Sequence, residues 1–167
     1  MSPLAIAVLT ISDSRTPAND TSGDLLVERL TGNGHLLASR ELVPDNVYQI
    51  RATVSNWIAD DTTDVVLATG GTGFTGRDST PEALLPLFDK TIEGFGELFR
   101  QISYGEIGSS TIQSRALAGL ANATLIFAVP GSTNACATAW DRILQNQLDS
   151  TFKPCNFAEL ISRFNES

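Results

Sequence analysis

The chain is poor in the residues that most often announce a site. It holds one histidine, His35, and two cysteines, Cys136 and Cys155, among 167 residues. A single imidazole excludes a His-rich metal centre and a conventional Ser-His-Asp triad. His35 follows Gly32-Asn33-Gly34, so it reads as a solvated turn residue. Two cysteines without CxxC spacing exclude a disulfide scaffold, and both read as small buried apolar residues. No apolar run approaches the ~20 residues that a bilayer requires. The segment Leu4 to Ile11 lacks a basic leader and a cleavage site, so no secretory signal and a cytoplasmic location are expected. Basic residues are scarce as well: 11 Lys and Arg against 19 Asp and Glu leave a formal charge of −8. That balance argues against a nucleic-acid partner, which needs a basic face. An acidic chain that holds phosphate must therefore supply local donors: backbone N–H groups, a bound cation, or an arginine such as Arg77.

What is present describes an ordinary folded domain spanning 1–167, with 42% hydrophobic and 18% charged residues. No linker, repeat or low-complexity tract divides it. Leu4 to Ile11 is a continuous apolar run, as expected of a strand covered on both faces. Asp20-Thr21-Ser22-Gly23 can cap a helix that runs through Leu30, and Leu36 to Val43 reads as a second strand. Val47, Ile50, Val54, Trp57 and Ile58 recur at helical spacing. Val65 to Ala68 predicts a third strand and Thr124 to Val129 a fourth. Helices are expected from Thr80-Pro81 with Thr80 as N-cap, around Phe95 to Ile102, from Gln113 to Ala121, and from Thr133 to Leu148. Trp57 and Trp140 read as core, and Phe152 to Phe164 as a docking helix or subunit contact. Strands alternating with helices predict an α/β fold, a mostly parallel sheet between helical layers. In such sheets ligands lie beyond the carboxyl ends of the strands. That rule gathers Ser12-Asp13, Pro44-Asp45, Gly70 to Gly73 and Pro130 to Ser132 along one edge.

The strongest local feature is Thr69-Gly70-Gly71-Thr72-Gly73, continuing through Gly76, Arg77, Asp78 and Ser79 to Thr80-Pro81-Glu82. Glycines let the backbone turn with φ > 0 and let an anion approach the N–H groups without a Cβ in the way. Threonine hydroxyls and the positive end of the following helix face the same space. The loop is read as an anion cradle for a phosphorylated small molecule. Gly71 to Gly76 also fits GxGxxG, but the strand before it is the third and the helix begins only after the motif, so a dinucleotide site is discounted. Asp45 and Asp78 flank the cradle. Two carboxylates beside phosphate repel it unless a cation intervenes, which suggests Mg²⁺. Ser12, Asp13, Asp20 and Gly23 are placed on the border of the same crevice, and Pro130-Gly131-Ser132 offers a second anion contact. Arg100, beside Glu97, could reach phosphate or pair with that neighbour.

Thr69-Gly-Gly-Thr-Gly73, Asp78, Thr80-Pro81-Glu82-Ala83, Gly94-Phe-Gly-Glu97 and Pro130-Gly-Ser132, in this order, resemble the signature of the MogA/MoaB family of molybdenum cofactor biosynthesis proteins. The likeness covers nearly the whole chain, and Gln113-Ser-Arg115 with Ala135 to Trp140 is more similar to the MoaB branch. The resemblance implies a three-layer α/β/α domain that assembles as a homotrimer or homohexamer. It implies molybdopterin and ATP as substrates, with AMP passing to the molybdopterin phosphate and pyrophosphate released. Asp45 and Asp78 correspond to the family's catalytic, Mg²⁺-linked pair. Other molybdenum cofactor biosynthesis proteins are then candidate partners, and a non-catalytic molybdopterin-binding paralogue is the alternative.

Overall fold

In the first strand, side chains alternate between two buried faces, and that alternation sets the architecture. The computed structural model describes residues 2–166. In β1 (Ala5–Ile11) Ile6 and Val8 join one apolar cluster, while Ala7, Leu9 and Ile11 join another. The strand is therefore covered on both sides, as its continuous apolar run requires. Helix α1 (Thr21–Gly32) follows, then β2 (Leu36–Val43), α2 (Val47–Ile58), β3 (Val65–Thr69), α3 (Thr80–Leu84), β4 (Lys90–Thr91), α4 (Glu93–Ile107), β5 (Leu117–Ala121), β6 (Thr124–Val129) and α5 (Thr133–Ala139). A π-helical turn, Trp140–Leu144, and a last turn, Gln145–Gln147, prolong α5.

The six strands lie in the order β2-β1-β3-β6-β5-β4. The pairs β1–β2, β1–β3 and β3–β6 are parallel, and β5 runs antiparallel to both β4 and β6. Leu26 and Leu30 of α1, Phe95 and Phe99 of α4, and Trp140 with Ile143 and Leu144 cover one face. Ile50, Val54 and Trp57 of α2, with Ala83 and Leu84 of α3, cover the other. The result is a three-layer α/β/α sandwich with a mostly parallel sheet. Among the described residues no helix is long and apolar enough to cross a membrane.

Several sequence expectations change. Gln113 to Ala121 is not helical: it ends a 3-10 turn and then enters β5. Leu-Ala-Gly-Leu-Ala has good helix formers, but pairing with β6 through a tight turn at Asn122 (φ 46°) and Ala123 (φ 65°) overrides them. His35 is buried, not solvated, because it closes over the start of β1, where the Leu4 N–H donates to its Nδ1 at 3.2 Å. Burial pushes its pKa below 6.5, so the imidazole is held neutral, against the weaker opposing pull of Asp149. Leu36 and Leu37 stay exposed because β2 is an edge strand. Cys136 is buried, but Cys155 is exposed. The tail makes only a short 3-10 turn, Ile161–Arg163, and docks Phe157, Ala158, Ile161 and Phe164 on the first core.

Candidate functional site

Register decides where the site lies. Ile11 is paired with Val43, Thr10 with Thr69, and Thr69 with Val129, so four parallel strands end at one level. Helix α1 leaves β1 on one face and α2 leaves β2 on the other, which puts a topological switch between β1 and β3. At that level a cavity of about 470 Å³ opens. Ser12 and Asp13 after β1, Asp45 after β2, Thr69 to Gly73 after β3, Asp78, and Pro130 with Gly131 after β6 all line it. The strand directions read from the sequence thus bring the expected segments together.

The glycine loop is shaped for close approach. Gly71 has φ +65°, and a Cβ there would lie 2.4 Å from Thr80 Oγ1 and 2.6 Å from Asp45 Oδ2. The Gly70 N–H is committed to Val129 O at 3.0 Å. Among the described residues no protein acceptor takes the N–H of Gly71 or Thr72, so these two remain able to meet an anion.

Each carboxylate is held by specific donors. Asp45 Oδ1 accepts from the N–H of Ser79 at 3.1 Å and from its hydroxyl. Asp45 Oδ2 accepts no hydrogen bond among the described residues. Asp78 Oδ2 accepts from the Thr75 N–H at 2.8 Å and the Thr75 hydroxyl at 2.7 Å. The Thr75 hydroxyl, with the N–H groups of Thr75 and Gly73 and the charge of Arg115, holds Asp78 below its ordinary value against the opposing effect of burial. Asp13 ties three loops together: Oδ2 accepts from Arg77 Nε at 2.7 Å, and Oδ1 from the Asp45 N–H at 3.1 Å. The Arg77 hydrogen bond lowers the Asp13 pKa, and Arg77 is thereby engaged with protein.

Six expected site residues fall outside the cavity lining. Asp20 is buried at the N-terminus of α1, where it accepts from the Gly23 N–H at 3.0 Å, Thr10 Oγ1 at 2.7 Å and Arg40 Nη2 at 2.9 Å. Burial raises its pKa, but the Arg40, Gly23 and Thr10 hydrogen bonds outweigh it and hold the pKa below 3.8. Asp20 and Gly23 are thus a buried cap. Thr80 is not the N-cap; Ser79 holds that place, and the Thr80 hydroxyl donates to Gly70 O at 2.7 Å. Pro81 is buried in α3 and Glu82 pairs with Arg115. Ser132 caps α5 by accepting the Ala135 N–H at 3.1 Å. Arg100 meets neither phosphate site nor Glu97; it donates to Ala116 O at 3.0 Å and braces the approach to β5.

Asp20 permits a direct expectation about stability. Because its folded pKa is depressed, its contribution is complete above 3.8 and is lost as pH falls through the lower folded value. Asp20→Asn should destabilise the fold by roughly 2–4 kcal/mol at pH 7, since a buried partner of Arg40 loses its charge and α1 keeps a weaker cap. Urea midpoints at pH 7 and pH 3 check this: the wild-type advantage should shrink at the lower pH.

The cavity also takes in residues not expected at the site from the sequence. Arg15 enters from the first loop, and Ile107, Ser110, Gln113 and Ser114 from the end of α4 and the turn after it. Turn residues roughly a hundred positions from the first loop carry no local mark of a shared wall. Arg115, seen earlier only as a branch feature, bonds the glycine loop from behind.

With this geometry in view, the relatives are informative. Residues 7–150 match the family described as "Probable molybdopterin binding domain". The chain is 57% identical over 155 residues to molybdenum cofactor biosynthesis protein B of Escherichia coli strain K12, covering 93% of this chain and 91% of that one. A crystal structure of a molybdenum cofactor biosynthesis protein B superposes with a TM-score of 0.85 at 44% identity, over 88% of this chain and 92% of the other. The tungsten cofactor synthesizing protein MoaB from Pyrococcus furiosus superposes with a TM-score of 0.79 at 35% identity, over 87% and 93%.

Proposed function

Because the chain belongs to the molybdopterin-binding domain family and so has a role in molybdenum cofactor biosynthesis, we propose that it is a molybdopterin adenylyltransferase. An oxygen of the molybdopterin phosphate attacks the α-phosphorus of ATP; the new P–O bond forms as the α–β bond breaks, and pyrophosphate leaves. The observation that carries this reading is the meeting of Asp45, Asp78 and the free amides of Gly71 and Thr72 in one cavity. Transfer between phosphates needs positioning and charge neutralisation more than a nucleophilic side chain, and the cavity offers both kinds of group.

The acids present fit Mg²⁺, which takes one or two carboxylates and completes its shell with phosphate oxygens and water. Asp45 Oδ2 is an uncommitted oxygen, and among the described residues no cluster of three or more acids, histidines or cysteines offers a closed cage. Asp45 and Asp78 would hold the ion, which supplies neutralisation of phosphate charge when bound. The protein's own groups do the rest. The Gly71 and Thr72 amides donate to phosphate oxygens, and Asp13 with Arg77 fixes the loop carrying Asp45. The expected trimer or hexamer draws support from Tyr104, Ile107 and Ile112, large apolar side chains exposed around the end of α4.

A second reading, a domain that holds molybdopterin without turning it over, is favoured by one fact: Asp78 already serves as the acceptor that folds its own loop. Incubation with ATP, Mg²⁺ and molybdopterin, followed for pyrophosphate, separates the two. Release that requires molybdopterin supports transfer. Molybdopterin binding with no pyrophosphate would leave only the holding role.

A further inference from the structure

Arg115 grips the glycine loop along its back. Its own N–H donates to Thr72 O at 3.0 Å, its Nε to Gly73 O at 2.8 Å, and its Nη2 to Asp78 O at 3.1 Å. The remaining nitrogen, Nη1, pairs with Glu82, and the guanidinium lies 5.2 Å from the centre of the Phe74 ring. A planar, five-donor fork can serve scattered acceptors in this way; an ammonium cannot.

The direction of those carbonyls has a consequence on the opposite side. In a trans peptide the C=O of one residue and the N–H of the next point to opposite sides. Carbonyls of Thr72, Gly73 and Asp78 turned back to Arg115 therefore send the N–H groups of Gly73, Phe74 and Ser79 forward. One of these three bonds an acid of the site directly. The Ser79 N–H donates to Asp45 Oδ1 at 3.1 Å, while the Gly73 N–H lies beside Asp78 and helps hold its pKa down. Arg115 touches neither carboxylate through a side-chain bond; it sets the peptide planes that do.

We propose that the Arg115 side chain is a positioning residue for Asp45: by holding the carbonyls of Gly73 and Asp78 it fixes the loop peptide whose Ser79 N–H orients the Asp45 carboxylate toward the cavity. Its consequence for turnover rests on the adenylyl-transfer reading; its consequence for the loop does not. The test uses Arg115→Ala and Arg115→Lys, the second keeping a cation and an apolar stem should the first fold poorly. In the ligand-free protein, NMR follows the amide signals of Phe74 and Ser79, whose peptide planes the guanidinium holds. Both variants should shift these amides, and millimolar guanidinium should partly restore Arg115→Ala. With MgATP and molybdopterin, kcat should fall about 10²-fold, the scale expected of ~1 Å misplacement, with KM for ATP changed far less. Unmoved amides in a folded variant would overturn the proposal whatever the turnover. Lysine restoring wild-type signals would do the same. Absence of pyrophosphate release in the wild type would instead count against adenylyl transfer, and the NMR signals would still decide the role of Arg115.

Discussion

Asp78→Asn is expected to lower molybdopterin-dependent pyrophosphate release by at least ~10²-fold while molybdopterin binding stays measurable. The substitution changes charge and little else. An asparagine oxygen can still accept from the Thr75 N–H and hydroxyl, which now bind Asp78 Oδ2 at 2.8 and 2.7 Å. The loop should therefore keep its shape, and the Gly71 and Thr72 amides should keep their orientation. What disappears is the negative charge that would hold a divalent ion against the phosphates. Asp78→Ala is a poorer test, since it also strands the Thr75 donors and confounds a loosened loop with a lost ligand. Asp45→Asn should behave like Asp78→Asn, because the Ser79 N–H and hydroxyl retain an acceptor. Turnover at saturating substrates, paired with equilibrium binding of molybdopterin, provides the measurement. A fully active Asp78→Asn would remove this carboxylate from the chemistry.

The strands that build the site were the most legible part of the chain. β1, β3 and β6 are apolar runs stopped by Ser12, Gly70 and Pro130, and the direction they share with β2 brought Asp13, Asp45, Asp78 and the glycine loop to one edge. The fold class follows from the same alternation. β5 was hidden because Leu117 to Ala121 has helix-forming composition, and its strand identity comes from β6 across the turn rather than from itself. Asp20 was misplaced for a related reason. Following a strand-end loop, a capping aspartate and a ligand aspartate look alike, and only its bonds to Thr10, Gly23 and Arg40 separate them. Thr80 shows the same limit on a smaller scale: its hydroxyl serves Gly70 O, a partner ten residues back that capping rules do not name. Arg115 gave no local sign of these contacts, since its acceptors are loop carbonyls roughly forty positions away. Short-range periodicity reports elements well and long-range hydrogen bonds poorly.

Gly70→Ala should produce the largest loss of stability of any single methyl added to the glycine loop. Gly70 has φ +106°, a conformation costing an alanine about 1–3 kcal/mol. The added Cβ would also stand 2.1 Å from Ile11 O, a main-chain atom in the last pair of β1 with β2, so no side-chain rotation relieves it. The residue is pinned from two further directions, by its N–H to Val129 O at 3.0 Å and by the Thr80 hydroxyl to its carbonyl at 2.7 Å. Escape must therefore break the junction at which β1, β3, β6 and α3 meet. A total above about 4 kcal/mol is expected, a large part of the 5–15 kcal/mol that typically separates folded from unfolded chains. For a chain of this size that corresponds to a fall in Tm of roughly 8–16 °C. Gly76→Ala is the matched control: its Cβ would meet nothing within 4 Å, and stability should change by no more than about 0.5 kcal/mol. Thermal unfolding of both variants beside the wild type gives the comparison. Gly70→Ala melting with Gly76→Ala would mean that the close crossing of Gly70 over Ile11 is not what holds the cradle in shape.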